Sequence, residues 1–106
     1  MRRGTTPINT FITDLDLSET TVFISYEQGG RKVLEKTGDD LSFSPGTETG
    51  TYKIETTLTQ EDTLKFKSEA VYIQIRAVYA DGSAVASNII HTSVERIIKD
   101  GVIVYV

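Results

Sequence analysis

The stretch from Glu69 to Ile97 limits what this chain can fold into more than any other. From Val71 on, Val71, Ile73, Ile75, Ala77 and Tyr79 take alternate positions, with Gln74 and Arg76 between them. That period is the period of a β-strand with one face in a core, because successive Cβ atoms point to opposite sides. Asp81-Gly82 follows as a two-residue type I′ turn, which needs positive φ at both central positions. A second run of apolar and small residues returns from Ala84 to Val94. The two runs read as a long β-hairpin. A hairpin alone is barely stable in water, so the other residues must cover it.

They carry the same periodicity. Residues 1 to 7 are small, polar and basic and end in a proline, the composition of a flexible N-terminal arm or of the lead-in to an edge strand, and residues 8 to 106 read as one domain with a β-prone C-terminal tail. Ile8 to Thr13 is the first expected strand. In the next, Val22, Ile24 and Tyr26 form an apolar face and alternate with Phe23, Ser25 and Glu27, where Phe23 breaks the polar side. Gly29-Gly30 is a hairpin turn, and Arg31 to Thr37 returns with Val33 and Leu34 adjacent, which leaves open which of them points inward. Gly38-Asp39-Asp40 is a turn, Leu41 to Phe43 a short strand, and Ser44 to Gly50 the longest loop signal. Tyr52, Ile54, Thr56 and Leu58 alternate cleanly against Lys53, Glu55, Thr57 and Thr59.

The one helical signal is Thr59-Gln60-Glu61-Asp62. A threonine N-cap followed by acidic residues satisfies free N–H groups and suits the helix dipole, so a single helical or 3₁₀ turn is expected, with Leu64 and Phe66 dropping back into the core. Such a turn between a fifth and a sixth strand carries the chain from one sheet of a sandwich to the other. Roughly seven to eight short antiparallel strands at spacings of about 8 to 12 residues give an all-β, immunoglobulin-like β-sandwich. The cysteine pair and tryptophan of antibody domains are absent. The chain then passes Asp100-Gly101 and ends Val102-Ile103-Val104-Tyr105-Val106. An uncharged β-prone run of this kind is an aggregation hazard as an open edge, so it is expected to pair, either within the fold or with a neighbouring subunit.

Composition narrows the function classes. With 106 residues, 39% hydrophobic and 25% charged, this is an ordinary globular chain large enough for one core. A net charge of −4, with 11 basic residues dispersed among acids, argues against a nucleic-acid groove. The absence of cysteine excludes disulfides and thiolate metal sites and fits synthesis in a reducing cytoplasm. Arg2 and Arg3 are not followed by an apolar stretch, so no secretory signal is expected, and no run reaches transmembrane length.

Catalytic apparatus is missing. His91 is the sole histidine and alternates onto a face with Ile89 and Ser93, a surface position without a nucleophile nearby. Asp14 with Asp16, Asp39 with Asp40, and Glu61 with Asp62 lack the ligand series of a calcium loop and are explained as turn and cap residues. The tyrosines fall mostly in expected strands, as packing residues, with Tyr72 facing outward. The residues therefore predict no enzyme, no cofactor and no metal.

Several segments resemble a known group. Met1-Arg2-Arg3-Gly4-Thr5-Thr6-Pro7, Val33-Leu34-Glu35-Lys36, Leu58 through Phe66 (LTQEDTLKF), Tyr72 through Arg76 and Asp81 through Ile90 are together similar to small proteins encoded among the virion structural genes of Firmicutes-type phages and prophages. The β-rich pattern is also similar to the immunoglobulin-like N-terminal domain of phage baseplate upper proteins. The resemblance implies a non-enzymatic virion structural protein of the tail or baseplate region, made in the bacterial host cytoplasm. Its implied partners are other virion proteins and further copies in a symmetric assembly, with neither nucleic acid nor membrane. Within that reading Arg2, Arg3 and Pro7 form a docking arm, and Val102, Ile103, Val104, Tyr105 and Val106 an augmenting strand. Two alternatives stand beside it: a carbohydrate- or receptor-binding module using the Ser44 to Gly50 loop, and a capsid or head-associated accessory protein.

Overall fold

The computed structural model describes residues 1–106. Its strands are β1 (Ile8–Thr13), β2 (Thr21–Gln28), β3 (Arg31–Thr37), β4 (Leu41–Pro45), β5 (Tyr52–Thr57), β6 (Val71–Val78), β7 (Ala84–Ala86) and β8 (Ile90–Thr92), with a short helix α1 (Gln60–Leu64) between β5 and β6. One antiparallel sheet runs β1-β5-β4 and the other β3-β2-β6-β7, with β8 continuing along β6 beyond β7.

That order is the immunoglobulin one. In the lettering of that fold the sheets are B-E-D and C′-C-F-G, with α1 at the E–F crossover. The outer A strand of the B-E-D sheet has no counterpart, and β1 is left as an edge. Residues 1 to 3 lie along the other sheet instead, where Arg2 bridges Glu95 in parallel.

Alternation decides what is buried. Val22, Ile24 and Tyr26 of β2 face Ala77, Ile75 and Ile73 of β6, and all of them are buried. Ile54 and Leu58 join them from the β5 side and Phe66 from beyond α1. The ambiguous pair in β3 resolves with Leu34 buried and Val33 half-buried. Gln28 lies in phase with the apolar positions of β2 and is buried too, but satisfied: its amide donates to the Lys67 and Glu69 carbonyls and accepts from the Lys67 N–H. Thr56 is buried with its hydroxyl on the Asp40 carbonyl.

The helical turn forms as its cap predicts. Thr59 Oγ1 accepts from the Asp62 N–H, and Asp62 Oδ2 accepts from the Thr59 N–H, a reciprocal capping box. Gly29 and Gly30 both adopt positive φ, 58° and 78°, as a type I′ hairpin requires.

Two expectations need correction. Asp81 does not take positive φ; only Gly82 does, at 90°. The Gly82 N–H donates to the Tyr79 carbonyl and the Tyr79 N–H to Ser83, so this is a three-residue loop ending in a left-handed glycine, which spares Asp81 the strained conformation. Its carboxylate instead accepts from the Ser83 N–H and hydroxyl. The return run from Ala84 to Val94 is also not continuous. Between β7 and β8 the Ile75 N–H donates to the Ser87 hydroxyl, a side chain taking the place of the ladder carbonyl, and Asn88 and Ile89 leave the sheet.

The register gives a paired test. Ile24→Ala should cost about 3 kcal/mol, whereas Phe23→Ala, one position along and 39% exposed, should cost less than about 1 kcal/mol in urea unfolding at neutral pH.

Candidate functional site

The segments expected to make an assembly surface lie on one side of the sandwich, and the structure treats them differently. The arm is docked. The Glu95 N–H donates to the Met1 carbonyl and the Arg3 N–H to the Glu95 carbonyl, a short parallel ladder beyond β8. Arg3 Nε donates to the Phe66 carbonyl at 2.7 Å and its Nη2 to the Leu64 carbonyl at 3.1 Å, so the guanidinium caps the end of α1, where carbonyls lack helical partners. Asp100 lies 3.4 Å from the same nitrogen. Arg2 reaches only the Arg96 carbonyl and stays exposed. Pro7 accepts from the Leu58 N–H, and the Thr63 hydroxyl holds the Thr5 carbonyl. The flexible basic arm expected from composition is thus a strap folded against the body, because carbonyls at the end of α1 give Arg3 better partners than water.

The tail is the opposite case. Val102 to Val106 belong to no strand, and Val104 and Tyr105 are 75% and 97% exposed. Pairing within the sheet, one of the two expected outcomes, does not occur. A single side chain holds the segment: Gln60 Nε2 donates to the Ile103 carbonyl and Gln60 Oε1 accepts the Ile103 N–H, at 3.0 and 2.8 Å. Ile98, four residues before it in sequence, is 95% exposed. Sequence reasoning missed Gln60, since its role in α1 depends on which segment the fold brings alongside.

The other candidates remain apart. His91 is exposed, with its ring 5.7 Å from that of Tyr72, also on the surface. The carboxylate pairs are occupied locally: Asp16 accepts from Ser18, Asp40 from the Thr37 N–H, and Asp62 from Thr59. No group of three His, Cys, Asp or Glu side chains is placed to hold a metal ion. Asp62 also meets Lys36 at 2.8 Å, a nearly buried ion pair joining β3 to α1. Burial alone pushes the Asp62 carboxyl up, but Lys36 and the Thr59 cap outweigh it and hold it below the usual carboxylate range.

One further concavity opens beside the Ser44 to Gly50 loop, where Phe43 and Tyr52 meet Asp16, Ser18 and Lys53. No helix is long and apolar enough to cross a membrane.

No protein-family model and no curated protein matches the chain. Among solved structures it is similar to the V domain of amphioxus IgVJ-C2, at 14% identity and a TM-score of 0.36, over 92% of this chain and 97% of that one. The immunoglobulin-like assignment rests on the strand order itself.

Two expectations follow. Arg3→Ala should lower stability by about 2 kcal/mol, because it leaves helix-end carbonyls without a charged donor, and should speed amide exchange at Glu95; Arg2→Ala should change stability by less than about 0.5 kcal/mol. Because the native Asp62 pKa is depressed, its contribution is complete above the unfolded value of about 4 and is lost as pH falls through the lower native value. Lys36→Met should therefore flatten the acid limb of the stability curve, measured by urea midpoint against pH.

Proposed function

We propose that this protein is a non-enzymatic structural subunit that joins an assembly by backbone pairing, and that the assembly is a phage virion, in its tail or baseplate region. The observation that carries the first part is the exposed, uncharged, strand-prone segment Val102–Val106, which has no strand partner in its own fold. Exposed sheet-forming backbone is a ready means of recognition, with main-chain hydrogen bonds supplying affinity and alternate side chains specificity. The phage setting rests on the resemblance of LTQEDTLKF and the neighbouring segments to virion structural proteins. The docked arm takes the role of a brace that fixes the side from which the tail leaves, rather than a docking element of its own.

A second reading is favoured by the concavity at Phe43 and Tyr52, where two aromatic residues line a hollow with Asp16 and Ser18, a mixture that suits a sugar ring. A glycan array separates the two: a structural subunit gives no signal, and a receptor-binding module binds a defined set that Tyr52→Ala removes.

The assembly reading is tested by a chain ending at Gly101, compared with the full chain by light scattering across a concentration series. The full chain should self-associate, or enter particles when supplied during assembly, and the shortened chain should remain monomeric and stay out. Equal behaviour of the two rejects it.

A further inference from the structure

The missing A strand leaves a specific vacancy on the molecule. On one side of the sandwich, the edge of β1 in one sheet faces the edge of β7 in the other. At one end this seam is closed by residues 1 to 3 against Ser93 to Glu95. At the other it is open, as a cleft lined by Leu15, Leu17, Ile75, Ala77 and Val85.

The β1 edge is ready to take a strand. Since Leu58 donates to Pro7, the alternate residues Asn9, Phe11 and Thr13 exchange their hydrogen bonds with β5. The N–H and C=O groups of Ile8, Thr10 and Ile12 therefore point away from the sheet. Every other sheet edge carries a device against pairing. β3 presents Arg31 and Lys32, β4 ends in Pro45, and β7 and β8 are short and interrupted. β1 has no charge, no proline and no bulge, and Ile8 and Ile12 on its outer face are 62% and 60% exposed.

The chain also carries a segment suited to that place. Val102–Val106 covers about 17 Å when extended, against about 20 Å for β1. It is apolar on both alternating faces, as a strand needs when one side enters an apolar cleft and the other lies beside Ile8 and Ile12. Val102, Val104 and Val106 share one side, Ile103 and Tyr105 the other.

We infer that Val102–Val106 of one copy adds as a strand to the free edge of β1 in a second copy, seated in the seam where the A strand of this sheet is missing. This deepens the assembly reading, and rests on it in taking Val102–Val106 as the donor. Donor and acceptor are different surfaces, so the contact is heterologous. Reciprocal exchange closes a dimer, and one-way donation gives a ring or a filament.

The chain has no cysteine, so each introduced thiol is unique. A Thr10→Cys chain is mixed with a Val104→Cys chain under mild oxidation; these positions are central to acceptor and donor, and pair closely in either strand direction. A mixed disulfide dimer should form at least about tenfold faster than with Asp81→Cys in place of Thr10→Cys, because pairing raises the local thiol concentration. Thr10→Pro supplies the second arm. It removes an N–H that points off the edge and leaves the β1–β5 bonds in place, so a folded variant, checked by circular dichroism, should lose self-association, while a Thr10→Pro/Val104→Cys chain should still crosslink to the Thr10→Cys chain. If the chain ending at Gly101 loses association but the Thr10→Cys crosslink stays at the Asp81→Cys rate, the tail docks elsewhere: this inference falls and the assembly reading survives. If a Thr10→Cys/Val104→Cys chain instead closes on itself as a monomer, the segment completes its own sheet and the proposal is overturned.

Discussion

The pairing of β2 with β6 is the contact on which the rest of the molecule depends. Val22, Ile24 and Tyr26 stand opposite Ala77, Ile75 and Ile73, so one strand pair supplies the floor on which the second sheet packs. Tyr26 extends it in two directions. Its ring lies 5.9 Å from that of Phe66, which follows α1, and its hydroxyl donates to Asn9 Oδ1 at 2.7 Å, tying β2 to β1 in the opposite sheet. Burial, and secondarily the negative charge of Asp62, push that phenol above its usual range, so it remains a neutral donor. Gln28 at the end of the same strand holds residues 67 to 69 with three hydrogen bonds, which delivers β6 into register. An apolar side chain at that position would remove all three bonds and leave the Lys67 carbonyl only its bond from the Glu69 N–H.

The arm shows how a fold can reverse a sequence-level impression. Two arginines in a polar run read as solvated charge, and a surface pair of that kind contributes little. Arg3 differs because α1 is short and ends beside it. The carbonyls of Leu64 and Phe66 are left over by that ending, and a planar guanidinium reaches both at once. Gly4 then lets the strap pass close to the far end of the chain: a Cβ there would stand 2.8 Å from Ile97 Cδ1. Charge at the start of the sequence thus becomes a clasp between α1, the ladder at Glu95 and Asp100.

What could be read from the sequence follows the range of the interactions involved. β2, β5 and β6 were legible because period-two burial is written in neighbouring residues, and α1 because Thr59 and Asp62 cap it within one turn. The loop at Asp81 was misjudged because two different hairpins use the same dipeptide, and the choice lies in how Tyr79 pairs with Ser83. The break at Ser87 was hidden for a related reason: a hydroxyl substituting for a carbonyl leaves no trace in hydropathy. Of the candidate site, the tail could be picked out by composition, but its place beside Gln60, the open seam and the uncovered β1 edge depend on strand order, which no local pattern encodes. The docking of Arg3 belongs to the same class, since its acceptors are more than sixty residues away.

The contact between Gln60 and Ile103 bears on how such a tail can be both held and used. A carboxamide that donates to one backbone carbonyl and accepts from the same residue's N–H imitates a single rung of a ladder. Two neutral hydrogen bonds at an exposed site contribute about 1 kcal/mol each at most, so the segment is steadied without being committed. Strand addition offers more, several ladder bonds together with burial of Val, Ile and Tyr side chains at roughly 1.5 to 3 kcal/mol for each one fully covered. Association costs about 4 to 15 kcal/mol in lost freedom, which takes back much of that gain. On the proposed donation a single strand is therefore close to balance, and such a subunit would stay separate when dilute and join where neighbours are held together, since each further contact is then made at high effective concentration. On the proposed strand donation, the weak Gln60 tether leaves the segment available to a neighbouring copy.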